Sequence, residues 1–161
     1  MAKAVAVVSA LCFLALASLA HAQEAFTVKG RVYCDPCRVE FQTSLSKSIE
    51  GAEVELQCRV RENGTVTVSQ KATTDAIGNY ELSVQGDHEE EICEVVSVSS
   101  PSQECNVPFG ENKARVLLTQ NNGVQGTDRY ANALGYKTAK ANPDCKAVLQ
   151  EMGYIPDEDQ I

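Results

Sequence analysis

Apolar and polar residues alternate with a period of two along most of the chain. The alternation is clearest at 26–33, 53–60 and 80–85, and it recurs more weakly at 114–118. Each segment has one apolar and one polar face, which is typical of strands that cover a core on one side and face water on the other. The segment 91–99 is apolar on both faces, so we expect a central strand there. The pattern predicts an all-β domain.

Turn residues separate these predicted strands. Asn63-Gly64 precedes the short apolar run 66–68, and because both residues tolerate positive φ, the pair predicts a hairpin. Gly78 lies in the next turn, at 75–79. Short strands at this spacing indicate a β-sandwich or β-barrel.

One short helix is predicted near the C-terminal end. Asn142 is a favoured N-cap, Pro143 suits the first turn, and Gly153 can end the helix. One face would be apolar, consisting of Cys145, Val148, Leu149 and Met152. The acidic segment 156–161 is predicted to be a loose tail.

The first 22 residues are typical of a secretory signal peptide. Lys3 precedes an apolar run that ends on Ala20-His21-Ala22, with small residues where signal peptidase requires them. The run is short for a membrane span of about 20 residues, so a membrane anchor is the less favoured alternative. Cleavage before Gln23 would leave a secreted chain, and no later segment approaches spanning length.

Cysteine usage fits an oxidising compartment. The chain has seven cysteines, of which Cys12 would be lost with the signal peptide. The even number that remains predicts three disulfides, although the spacing alone leaves their pairing open. The six residues are Cys34, Cys37, Cys58, Cys93, Cys105 and Cys145.

Cys34-Asp35-Pro36-Cys37 also has the spacing of a redox motif, in which one thiolate of the pair is activated at a helix start. The surrounding pattern is all-β, however, and four further cysteines need partners. Pro36 favours a tight turn that directs the two sulfurs apart. We therefore interpret both cysteines as structural.

The formal net charge is −8 at pH 7, and loss of Lys3 with the signal peptide makes it more negative. An acidic surface repels nucleic acids and anionic lipid headgroups, and no basic cluster offsets it. We expect neither nucleic-acid binding nor membrane insertion after signal cleavage.

Candidate catalytic and metal-binding residues are few. His88 is the single histidine beyond the signal peptide, and it lies in the polar run Asp87-His88-Glu89-Glu90-Glu91, which is typical of a solvated turn. The run lacks the ligand spacing and glycine of a calcium loop, and disulfides would consume the thiols that zinc needs. Paired carboxylates for glycoside cleavage remain available, but no Trp can form a sugar-stacking platform. We expect no enzyme activity, no cofactor and no metal.

Asn63-Gly64-Thr65 is the chain's one N-x-S/T sequon. Its place on a predicted turn of a secreted protein predicts glycosylation of Asn63. The alternative is that Asn-Gly serves only the turn.

The run 30–38, GRVYCDPCR, resembles the signature of the Ole e I-like family, secreted plant proteins that include major pollen allergens. The resemblance continues to 132–136, where family members usually have Pro for Ala133 and Phe for Tyr136. It includes all six cysteine positions, and it identifies residues 23–155 as one Ole e I-like β domain.

The resemblance implies a seven-stranded antiparallel β-barrel or sandwich with one short C-terminal helix and the disulfides Cys34–Cys105, Cys37–Cys145 and Cys58–Cys93. It also implies a secreted, non-enzymatic protein of the extracellular space or cell wall. Roles in pollen hydration, germination or tube growth would follow. The partners would be a receptor-kinase ectodomain or a cell-wall polysaccharide, and IgE if the protein is an allergen.

Two alternatives remain open, a small-molecule carrier that uses the barrel mouth and a cell-wall-active hydrolase. With strand faces committed to the core, recognition is expected on loops. The segment 38–49 either packs over one end of the barrel through Phe41, Leu45 and Ile49 or binds a partner. The acidic turn, defined as residues 87–91, is the other candidate because its charge can attract a basic patch.

Overall fold

The computed structural model describes residues 25–154. The predicted signal peptide and the predicted acidic tail lie outside the described residues. Ten strands and one helix occupy the described part of the chain. Their bounds are β1 Ala25–Asp35, β2 Lys47–Ser48, β3 Glu53–Val60, β4 Val66–Thr73, β5 Asn79–Gln85, β6 Glu91–Ser99, β7 Cys105–Pro108, β8 Lys113–Val116, β9 Asp128–Tyr130, β10 Leu134–Thr138 and α1 Cys145–Glu151.

The strands form two sheets that pack face to face. One sheet has six strands, with β2, β1, β10 and β7 in order and with β5 and β9 paired to β1. The other has four strands in the order β4, β3, β6, β8, so β6 is a central strand as predicted. The sheets remain open at their edges, which makes the fold a sandwich and not a barrel.

One hydrophobic core fills the space between the sheets, and the period-two pattern supplies it. Phe26 and Val28 of β1 meet Val54 and Leu56 of β3 and Val95 of β6 in a single buried cluster. Burial of each such side chain stabilises the fold by about 1.5–3 kcal/mol. The all-β class and the predicted strand segments are therefore confirmed.

The number and direction of the strands differ from the seven antiparallel strands expected. β1 is long enough to serve two sets of neighbours, because its first half pairs with β5 and β9 and its second half with β2 and β10. The pairings of β1 with β9 and β10 are parallel. β2, β7, β9 and β10 have only 2, 4, 3 and 5 residues, too few for an alternation to stand out in the sequence.

The helix begins at Cys145, with Asp144 and not Asn142 at the N-cap position. Asn142 instead accepts a hydrogen bond from the Asp144 N–H at 2.9 Å through its side chain. Gly153, with φ of 72°, ends the helix as predicted. Met152 is 52% exposed and does not belong to the buried face. Within residues 25–154, no helix is long and apolar enough to cross a membrane.

A second, smaller core lies where α1 packs on the segment after β1. Leu149 and the buried Cys37 and Cys145 form its centre, and Phe41 and Leu45 pack against them. Ile49 is buried in the main core. Of the two interpretations of segment 38–49, packing therefore applies to all three apolar side chains. Residues 38–46 form bends and one turn and not a helix.

Candidate binding surfaces

Three disulfides brace the ends of the sandwich. Cys34–Cys105 joins β1 to β7, Cys37–Cys145 joins the following turn to α1, and Cys58–Cys93 joins the neighbouring strands β3 and β6. These are the pairs that the family resemblance implies. Cys34 and Cys37 bond to different, distant partners, which fits their interpretation as structural cysteines.

Asp35 organises the turn between Cys34 and Cys37. Its fully buried carboxylate accepts hydrogen bonds from the N–H groups of Cys37 at 2.8 Å, Arg38 at 2.9 Å and Glu40 at 2.7 Å. Arg38 and Glu40 both have positive φ, of 61° and 62°, a conformation that costs energy in residues other than glycine. An aspartate that bonds the backbone two residues on is a known turn signal, and it marks Asp35 in the sequence.

His88 in the acidic turn is not solvated as expected. Its side chain is 9% exposed, and its Nδ1 lies 2.9 Å from Oε2 of Glu91. Its Nε2 lies 3.1 Å from the carbonyl oxygen of Gln85. Both partners are acceptors, so the ring satisfies both only when each nitrogen carries a proton. His88 therefore fixes the turn to the start of β6.

The acidic side chains of the turn differ in their exposure and in their hydrogen bonds. Asp87 accepts hydrogen bonds from the Glu89 N–H at 2.9 Å and the Thr119 hydroxyl at 3.0 Å, and the bond from Glu89 is the main cause that lowers the pKa of Asp87. Glu89 accepts a bond from Asn121 at 2.8 Å. Asp87, Glu89 and Glu90 are exposed, whereas Glu91 is half-buried. Asp87, Glu89 and Glu90 thus carry the exposed charge of the turn, and Asp87 is the one of the three that also fixes the turn through two hydrogen bonds.

One group of metal-ligating side chains combines two residues of this turn with a disulfide. The donor atoms of Cys58, His88, Glu91 and Cys93 lie within 4.8 Å of one another. The two sulfurs are joined in a disulfide, however, and zinc binds thiolates. Only two ligands remain in the oxidised protein, fewer than a zinc site requires.

Asn63 lies exposed in the five-residue loop between β3 and β4. Its Oδ1 accepts a hydrogen bond from the Thr65 N–H at 2.9 Å. β3 and β4 pair antiparallel on either side of this loop, so the predicted hairpin is confirmed. Of the Asn63-Gly64 pair, only Gly64 has positive φ, of 70°. The exposed Asn63 side chain remains accessible to a glycosyltransferase.

We predict that Asn63 is glycosylated when the protein passes through a plant secretory pathway. Glycosidase treatment should lower the mass of plant-made protein, and Asn63→Gln should give the trimmed mass directly. Thr65→Val should remove the glycan and Thr65→Ser should keep it, because the sequon requires Ser or Thr at this position. Both variants leave Asn63 in place. An unchanged mass after glycosidase treatment would leave Asn63 as a turn residue only.

Two grooves offer further surfaces. The end groove, of about 680 Å³, lies beside the Cys34–Cys105 disulfide, and its rim carries Lys47, Lys140, Glu50 and Glu104. The outer groove, of about 330 Å³, lies on β5, β1 and β9. Lys29 in this groove pairs with Asp128 at 2.7 Å, and that hydrogen bond raises the pKa of Lys29.

Arg129 holds the long connection between β8 and β9 against the sandwich, and no sequence pattern had marked it. The side chain lies in a position only 5% exposed, with its guanidinium 4.7 Å from the centre of the Phe26 ring. It donates four hydrogen bonds of 2.8–3.1 Å to backbone carbonyls, which belong to Leu117, Thr119, Gly126 and Asp128. The same connection supports the acidic turn, because Leu118 accepts a bond from the His88 N–H at 2.8 Å.

These features define a small, disulfide-braced β-sandwich whose exposed turns and grooves are its candidate binding surfaces. The chain belongs to the Ole e 1-like pollen protein family, since the family model described as "Pollen protein Ole e 1 like" matches residues 24–153. The resemblance noted in the sequence is thereby confirmed.

Individual relatives agree with this assignment. The chain is 47% identical to the anther-specific protein LAT52 of Solanum lycopersicum, over 97% of this chain and 98% of that protein. It is 44% identical to the pollen allergen Che a 1 of Chenopodium album, over 94% of this chain and 95% of that protein. Among solved structures, the major plantain pollen allergen Pla l 1 matches with a TM-score of 0.68 and 29% identity, over 76% of this chain and 100% of that chain.

Proposed function

We propose that the mature protein is a secreted, non-enzymatic binding protein of the pollen extracellular space or cell wall. It would act in pollen hydration, germination or tube growth through a receptor-kinase ectodomain or a wall polysaccharide. The observation that carries the non-enzymatic part of this proposal is the position of His88, the single histidine in residues 25–154. Its ring nitrogens lie 2.9 Å from Glu91 and 3.1 Å from the Gln85 carbonyl oxygen, so the side chain is engaged within the turn and is not available as a catalytic base. The names of the relatives, which refer to anthers and pollen allergens, support the tissue, and the allergens among them support IgE as a further partner.

Glu89 and Glu90 are the proposed contacts of the acidic turn. Both are exposed at one point of a chain whose net charge is −8, so they add to a field that attracts a basic patch and speeds association. Glu91 accepts bonds from His88 and from the Thr67 hydroxyl, the latter at 2.6 Å. Glu91 therefore belongs to the scaffold and not to the proposed contact.

Binding at an exposed surface is favoured over the two alternatives. The carrier alternative uses a barrel mouth, and the open edges of the two sheets do not form one. The hydrolase alternative needs a pair of carboxylates at a set spacing in a substrate cleft. The two carboxylates in residues 25–154 whose pKa is clearly shifted, Glu55 and Asp87, both have it lowered by hydrogen bonds, whereas the general acid of a glycoside hydrolase needs a raised pKa.

Disruption of the gene in the source plant tests the proposed function. Pollen without the protein should hydrate, germinate or extend tubes more slowly, and the full-length chain should restore it. A form without residues 2–22 should fail to restore it, because the role is extracellular. Normal hydration, germination and tube growth in the disrupted line would refute the proposal.

The same pollen assay tests the acidic turn. Glu89→Lys with Glu90→Lys should restore tube growth less well than the unchanged chain, since the two charges proposed to attract a basic partner are reversed. Glu62→Lys with Glu151→Lys is the matched control, because both residues are exposed and the charge change is identical. Equal restoration by both variants would move the contact away from the acidic turn.

A further inference from the structure

The outer groove combines an aromatic ring with polar groups from three adjacent strands. Lys29 of β1 lies opposite Glu81 of β5 and Tyr130 of β9, and Arg31 lies opposite Asn79. All five residues line the groove. Since alternate strand residues share a face, they project from the side of the sheet that is turned away from the core.

Tyr130 is the most conspicuous of these side chains. It is 75% exposed, more than any other large apolar side chain in residues 25–154. A tyrosine ring offers a flat, electron-rich face together with a polar hydroxyl. The C–H groups on one face of a pyranose ring pack well on such a face, and the sugar hydroxyls then meet polar groups at its edge.

The charges around the ring are balanced. Lys29 lies 2.7 Å from Asp128 and 3.7 Å from Glu81. Arg31 donates one hydrogen bond to Ser48 at 2.9 Å, and a guanidinium has five N–H groups in all. The groove therefore offers both donors and acceptors without an excess of either charge, on a protein whose net charge of −8 repels polyanions.

We propose that the outer groove binds a neutral polysaccharide chain, with one pyranose ring stacked on Tyr130 and its hydroxyls hydrogen-bonded to Asn79 and Arg31. Asn79 is exposed, and its side-chain amide supplies one acceptor and two donors. This inference rests on the proposed function and selects the wall polysaccharide from its two partner classes. A receptor ectodomain that binds at the acidic turn would leave the outer groove free.

Affinity electrophoresis of the oxidised mature protein tests this site. Gels that contain xyloglucan, galactan or mannan as neutral probes should retard the protein with at least one of them, whereas polygalacturonate should not. Tyr130→Ala should lower the affinity for the probe that retards the protein by about tenfold or more. Tyr130→Phe should keep the affinity within about threefold, because the ring supplies the stacking surface. Met152→Ala, which trims another exposed apolar side chain, is the control and should bind normally.

Four results would overturn the inference. Two concern the probes: no neutral probe retards the protein, or polygalacturonate retards it instead. Two concern the variants: Tyr130→Ala binds as well as the unchanged protein, or Tyr130→Ala and Met152→Ala lose the same affinity. Thermal unfolding should show that Tyr130→Ala keeps its stability, because the side chain lies mostly in water. The pollen phenotype of the disrupted gene is measured separately, so failure of the sugar site and failure of the proposed function are distinguishable.

Discussion

Arg129→Met is expected to lower the free energy of unfolding by about 3–4 kcal/mol. Methionine can fill the space of the aliphatic stem, but the four backbone carbonyls lose their donors, and a buried polar group left unsatisfied is costly. The contact of the guanidinium with the Phe26 ring is lost as well. Urea unfolding measures the change. Arg115→Met is the control, because Arg115 is exposed and should change stability by less than about 0.5 kcal/mol.

Loss of the Arg129 hydrogen bonds should also destabilise the acidic turn. The connection that Arg129 holds accepts the His88 N–H through Leu118 and reaches Asp87 through Thr119. Hydrogen exchange at the His88 amide should therefore accelerate in Arg129→Met and not in Arg115→Met. Equal stability and equal exchange in the two variants would contradict the role assigned to the buried guanidinium.

The strands that the sequence pattern predicts are those in which apolar and polar side chains alternate over seven or more residues. β3 and β5 are such strands, and their buried residues follow the period of two along their whole length. β9 and β10 have three and five residues, and each pairs in parallel with β1 from about 100 residues away. A pairing of that separation depends on the complete fold and leaves no local signature.

In the candidate surfaces too, features set by neighbouring residues were predictable and features set by residues distant in sequence were not. The spacing of His88 and Glu91, three residues apart, was visible in the sequence, but the burial of the ring depends on Gln85 and on the connection beyond β8. Arg129 gave no signal, since an arginine in a polar segment is ordinarily exposed. Tyr130 gave none either, because nothing in a three-residue strand shows which side chain faces outward.

Removal of the Cys37–Cys145 disulfide is expected to cost more than any single substitution considered above. The bridge closes a separation of 108 residues, and in the chain-entropy model it stabilises the protein by about 4–5 kcal/mol. It also fixes α1, whose seven residues are too few for a helix to persist in isolation. Cys37→Ala with Cys145→Ala should therefore lower the free energy of unfolding and release α1 from the segment that contains Phe41.

Cys58→Ala with Cys93→Ala is the matched control for that experiment. Its bridge closes 35 residues, so the chain-entropy model gives a loss smaller by about 1 kcal/mol. Cys58 and Cys93 are directly opposite residues of one antiparallel ladder. The other pairs of that ladder should hold β3 and β6 together without the bridge. Urea unfolding compares the two losses, and hydrogen exchange at the Leu149 and Tyr154 amides reports on α1. Exchange should rise sharply only in Cys37→Ala with Cys145→Ala, and an equal rise in both variants would show that the helix depends on the sandwich as a whole and not on its own bridge.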